Sequence, residues 1–154
     1  NQRQKESMFV KINKFYNGDI AGKTFGLWGL AFKPGTDDMR EAPSLQIIND
    51  LVNAGAKIRA YDPVAKQTAS IDIPHEWLAD GRVEILDDQY QALENTDALI
   101  LATEWKQFRN PDFNHIKAKL TMPVIFDGRN QYDPELMTDL GITYLGIGRT
   151  NKPS

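Results

Sequence analysis

Residues 23–32 read KTFGLWGLAF. The run is apolar without alternation, the pattern of a strand buried on both faces of a parallel sheet. A strand with one wet face would alternate polar and apolar positions instead. Immediately downstream the character changes to a polar, turn-rich loop, KPGTDDMREA over 33–42. Pro43 then opens a helix, PSLQIINDLVNAGA: proline suits its first turn, Leu45, Ile48, Leu51 and Val52 form its apolar face, and Gly55 ends it. Residues 57–62, KIRAYD, read as a second strand, and Pro63 starts a short helix or turn.

The same alternation runs to the end of the chain. Residues 71–81 read as an irregular excursion, 83–86 as a third strand and 90–94 as a short helix. DALILAT at 97–103 is another buried strand, followed by a helix over 113–120 and a fifth strand, PVIFD, over 123–127. A helix at 134–140 and a sixth strand at 143–147 complete the series. Upstream, residues 1–16 place Met8, Ile12 and Phe15 at helical spacing with Phe9 and Tyr16 flanking, and Asn17-Gly18 stops the helix. Its single apolar stripe needs a partner, either this domain or a neighbouring one of which the helix is the tail. Strands alternating with helices predict an α/β, doubly wound, Rossmann-like, mostly parallel sheet of about six strands flanked by helices. Such sheets take ligands at the carboxyl ends of their strands, so the loops after Phe32, Asp62, Thr103 and Asp127 are the places to look.

Composition narrows the function. With 154 residues the chain fits one domain, and a net charge of −3 argues against a broad phosphate-neutralising surface for DNA or RNA. The absence of cysteine excludes disulfides, thiolate metal sites and a cysteine nucleophile from this chain. His75 and His115 form no metal-ligand spacing and read as surface or helix-end residues. No apolar run approaches the roughly 18 residues of a membrane span, and the polar start is no signal peptide, so a cytoplasmic setting is expected. The first residue is Asn, which fits a piece of a longer chain.

Three groups of residues carry chemistry. In the loop after the first strand, Lys33 and Arg40 stand near a helix N-terminus, whose unpaired N–H groups and partial positive charge suit a pyrophosphate. Equally, Asp37 and Asp38 could cap turns and pair with these cations across a solvated loop. No histidine or metal signature supports those two aspartates as an acid–base pair. Gly26 and Gly29 in GLWGLAF do not make the GxGxxG fingerprint, so a complete NAD site within this domain is not expected, and Asp62 reads as a turn residue. In FDGRN, 126–130, Gly128 permits a sharp turn and Arg129 offers a rigid fork of donors for phosphate or a base edge. The bland alternative pairs Arg129 with Asp127 or Asp133. In TEWKQFR, 103–109, Trp105 and Phe108 read as packing residues.

The string GKTFGLWGLAFKPGTDDMREAPS, 22–44, resembles the signature opening the C-terminal domain of the UDP-glucose/GDP-mannose dehydrogenase family. YDP, TDALILATEW, VIFDGRN and YLGIGR follow in the same order as in that domain, and the wording is most similar to UDP-glucose 6-dehydrogenases. The resemblance implies that residues 1–18 are the tail of the central inter-domain and dimerisation helix, and 19–154 the C-terminal UDP-binding domain. It implies an enzyme that oxidises UDP-glucose to UDP-glucuronate with two NAD⁺, the NAD site and catalytic cysteine lying in an N-terminal domain. The expected partners are that domain and a second or further copy of the chain. Carried over by motif, Phe32, Lys33 and Arg129 would bind substrate, and Arg40 would reach the NAD. This stretch alone would be inactive. GDP-mannose and UDP-N-acetylmannosamine dehydrogenases are alternatives within the class, and a non-catalytic nucleotide-binding or dimerisation module is one outside it.

Overall fold

The computed structural model describes residues 7–31 and 42–147. Its centre is a six-stranded, all-parallel sheet: β1 Thr24–Trp28, β2 Lys57–Tyr61, β3 Val83–Ile85, β4 Ala98–Leu101, β5 Val124–Asp127 and β6 Thr143–Gly146. The strands lie in the order β3-β2-β1-β4-β5-β6. Order reverses between β1 and β4, which are direct neighbours with Phe25 opposite Ala98 and Trp28 opposite Leu101. The expected doubly wound architecture is therefore present, and the switch point falls at the carboxyl ends of these two strands.

The unalternating apolar runs are explained by a core on each face. Phe25 and Leu27 of β1, Ala98 and Ile100 of β4, and Val124 and Phe126 of β5 pack on one side with Ile48 and Leu51. Trp28, Leu99, Leu101 and Ile125 point to the other side, where they meet Phe108, Ile116, Met137 and Tyr144. Because successive side chains alternate between faces, a strand buried on both must be apolar at nearly every position. The Trp28 indole stacks on Phe108 with ring centroids 4.9 Å apart and donates its N–H to the Gln89 carbonyl at 2.7 Å. Phe108 is thus a packing residue, as its sequence context indicates.

The first face is covered by α1 Met8–Phe15 and α2 Pro43–Asn53. The Ser7 hydroxyl caps α1 by accepting from the Val10 N–H, Ile12 is fully buried, and Phe15 meets Phe126 edge to face at 5.5 Å. So the apolar stripe of α1 finds a partner on this domain. α5 Phe113–Lys119 and α6 Pro134–Asp139 contribute Ile116 and Met137 to the second face, and Asp112 and Asp133 cap them.

One expectation is corrected. Much of the stretch 71–81, read as irregular, belongs to two short helices, α3 Lys66–Asp72 and α4 His75–Ala79. Pro74 separates them, yet Ala69, Ile73 and Trp77 are all buried and join the first core. Each helix is too short for a periodic pattern to register, and the four-residue spacing of those three side chains crosses the break.

Gly29 closes the fold at the switch point. Its φ is +100°, and a Cβ there would come within 2.5 Å of the Thr103 side chain. Gly29→Ala combines a left-handed backbone penalty with overpacking and should lower unfolding free energy by about 2–4 kcal/mol. An unchanged urea midpoint and slope would contradict this close approach.

Candidate functional site

At the carboxyl edge of the sheet, two buried aspartates organise the loops. Asp62 follows β2 and is 4% exposed. Its Oδ2 accepts the N–H groups of Leu30 (2.8 Å) and Ala31 (3.1 Å), and its Oδ1 those of Val64 (2.9 Å) and Ala65 (2.8 Å). The carbonyls of the same segment are also taken: the Ser44 hydroxyl donates to Leu30, and the Thr103 hydroxyl to Ala31 at 2.9 Å. Asp62 is therefore more than a turn residue. It joins the turn after β2 to the exit of β1, and its acceptors are occupied by backbone donors.

Asp127 plays the same part at the end of β5 and is fully buried. Oδ1 accepts from the Arg129 N–H at 2.9 Å, while Oδ2 accepts from Gln131 N–H (2.6 Å), Tyr132 N–H (2.9 Å) and the Tyr144 hydroxyl (2.7 Å). Burial, and then the nearby Asp127 carboxylate, push the Tyr132 phenol far above its usual range. It stays protonated and donates to the Phe108 carbonyl. Gly128 serves close approach: its N–H donates to the Leu101 carbonyl at 2.9 Å, and a Cβ would sit 3.0 Å from that same oxygen. The left-handed residue of the turn is Asn130, with φ 52°.

Arg129 emerges from this loop. Its Nη2 and Nε contact Glu104 Oε1 at 2.7 and 3.0 Å. The ion-pair partner is thus Glu104, from the loop after β4, rather than the side chain of Asp127 or Asp133; Asp127 binds the Arg129 backbone instead. Arg129 also lines a pocket of about 230 Å³ with Met8, Lys11, Ala102, Gly128 and Ile147. Lys11 brings a second cation, its Nζ donating to the Gly146 carbonyl at 2.9 Å. An apolar floor rimmed by two cations suits a group with an anionic end.

Sequence reasoning identified Arg129 but not Lys11, Glu104 or the role of Asp127. Lys11 sits on a helix far from the strand loops in sequence, although its place one turn from Met8 and Phe15 on the packed side was available. Phe32, Lys33 and Arg40 lie outside the described residues, as do Asp37 and Asp38. Both histidines are exposed, and His115 stacks on Tyr90 at 4.3 Å. Among the described residues there is no group of three or more metal-ligating side chains and no helix long and apolar enough to cross a membrane.

A parallel sheet with this strand order and a cationic pocket at its carboxyl edge defines a Rossmann-like domain of the kind found in dehydrogenases. Residues 26–134 match the model of the UDP-glucose/GDP-mannose dehydrogenase family, UDP binding domain, and the chain belongs to that family. The UDP-glucose 6-dehydrogenase of Pseudomonas aeruginosa is 49% identical over 149 residues, covering 97% of this chain and 33% of that protein. Of the solved structures, an NDP-N-acetyl-D-galactosaminuronic acid dehydrogenase from Methanosarcina mazei is similar with a TM-score of 0.73 and 26% identity, over 93% of this chain and 28% of that one. A UDP-glucose dehydrogenase from Pyrobaculum islandicum gives a TM-score of 0.63 at 30% identity, over 80% of this chain and 26% of that one. The chain spans about a third of the length of these curated relatives.

The Asp62 carboxylate satisfies four backbone donors at once. Asp62→Ala should cost about 3 kcal/mol of stability, since several buried N–H groups would lose their acceptor. A loss below about 1 kcal/mol in chemical denaturation would show that water replaces the carboxylate.

Proposed function

We propose that this chain is the substrate-binding, C-terminal part of an NAD-dependent UDP-glucose 6-dehydrogenase, which converts UDP-glucose, two NAD⁺ and water to UDP-glucuronate and two NADH. The observation that carries the reading is Arg129, held at the carboxyl end of β5 beside a pocket that Lys11 also lines. A guanidinium fork there suits the diphosphate of a nucleotide sugar. The 49% identity to a UDP-glucose 6-dehydrogenase favours UDP-glucose over GDP-mannose or an N-acetylated sugar.

In this reading Phe32 and Lys33 contact the substrate and Arg40 reaches the cofactor. NAD supplies the hydride acceptor and is held mainly by a companion N-terminal domain. Two features support that division: the GLWGLAF turn lacks the dinucleotide fingerprint, and Asp62, where a ribose-binding acid would stand, is engaged by backbone N–H groups. Residues 1–18 are, in this reading, the tail of the element that joins the two domains and serves dimerisation, and within it α1 begins after its Ser7 cap. Without a cysteine the chain has no thiol to hold the oxidised C6 carbon, so it binds without turning over.

Calorimetric titration of the chain should show weak UDP binding, weaker GDP binding and no preference for NAD. Arg129→Ala should reduce the UDP affinity about tenfold or more, the worth of a charge-assisted contact. Clear preference for NAD over UDP would contradict the assignment. NADH formation from UDP-glucose by the chain alone would refute the division of labour. In the longer enzyme, Lys33→Ala should reduce UDP-glucose turnover by about 10- to 100-fold, and unchanged kcat and KM would remove Lys33 from the site.

A further inference from the structure

Residues 128–132, GRNQY, form a loop in which every residue is tied down. Gly128 N–H donates to the Leu101 carbonyl; Arg129, Gln131 and Tyr132 N–H groups converge on Asp127. The Asn130 side chain pairs with the Ile147 backbone, accepting from its N–H at 2.7 Å and donating to its carbonyl at 2.9 Å. The Tyr144 hydroxyl fills a further acceptor site on Asp127. Arg129 is the one charged side chain that this loop bears. With its backbone fixed, the freedom left to it is in its own χ angles.

Glu104 removes much of that freedom. A single carboxylate oxygen takes both Nε and Nη2, which is a side-on contact. Nη1 has no partner among the described residues, so the edge between Nη1 and Nη2 is left open for a second acceptor. The side chains of Arg129 and Glu104 are 38% and 42% exposed, so the pair is screened and contributes little to stability. What it does supply is direction: a planar fork held by one edge presents the other in a set orientation.

We propose that Glu104 and Asp127 are positioning residues, which together present the free edge of Arg129 to the diphosphate of the bound nucleotide. The proposal rests on the reading that Arg129 meets that nucleotide. Glu104 acts as an orienter, and this differs in sign from a competitor that occupies Arg129 until an anion displaces it. Removing an orienter weakens binding; removing a competitor strengthens it.

The test uses the chain, with UDP as the probe. Glu104→Gln should weaken UDP binding by about three- to fivefold, and Glu104→Asp should recover part of the loss. Affinity that is unchanged or tighter in Glu104→Gln overturns the proposal. A second readout needs no nucleotide: in nitrogen-15 spectra, the Arg129 Nε–H should exchange with solvent about fivefold faster or more in Glu104→Gln than in the parent. Tyr144→Phe removes one donor from Asp127 and should likewise speed exchange of the Arg129, Gln131 and Tyr132 amides. Exchange rates equal to the parent's in both variants refute positioning, whatever UDP does. If Arg129→Ala leaves UDP affinity intact, the nucleotide reading fails, and the spectra still decide whether Glu104 and Asp127 fix this side chain.

Discussion

Strand β1 has no face exposed to water, and that constraint propagates through the molecule. A strand covered on both sides needs helices on both sides, and parallel neighbours reached by crossovers meet that need. Phe25 and Leu27 face α2, and Trp28 faces Phe108, so the two cores are built from alternate residues of one short segment. The same constraint leaves the strand ends as the place where polar function can be displayed without opening the core.

At those ends the polar work falls to carboxylates rather than to glycine turns. Asp62 and Asp127 stand at the ends of β2 and β5, on either side of the switch point, and each collects four hydrogen-bond donors. A buried charge is costly unless fully hydrogen-bonded. Here the requirement is met by the loop backbones, which become ordered in the process, and at Asp127 also by the Tyr144 hydroxyl. The expense of burying the charge and the precision of the loops are thus one effect seen from two sides.

Much of the fold was legible because it depends on local pattern. The run 23–32 could be read as a doubly buried strand, 97–103 as a buried strand and 123–127 as a strand without knowing their neighbours, and Pro43 with Gly55 bracketed α2. α3 and α4 were missed because neither has two full turns of contrast between apolar and polar positions. In the site, Arg129 was found through the chemistry of FDGRN, but the alternative ion pairs weighed for it were with the aspartates nearest in sequence and did not include Glu104. Glu104 lies 25 residues away and is brought close by the β4–β5 pairing, which no local spacing encodes. Lys11 escaped for the same reason.

The Ser44 hydroxyl donates to the Leu30 carbonyl, so the exit of β1 is joined directly to the first turn of α2. Thr103 and Asp62 secure the departing side independently. The end of β1 and the start of α2 are therefore held together by contacts of their own. The entropic penalty for lengthening such a closed segment is small, about 0.6 kcal/mol per doubling. A change of length between the two anchor points would thus pass little strain to β1.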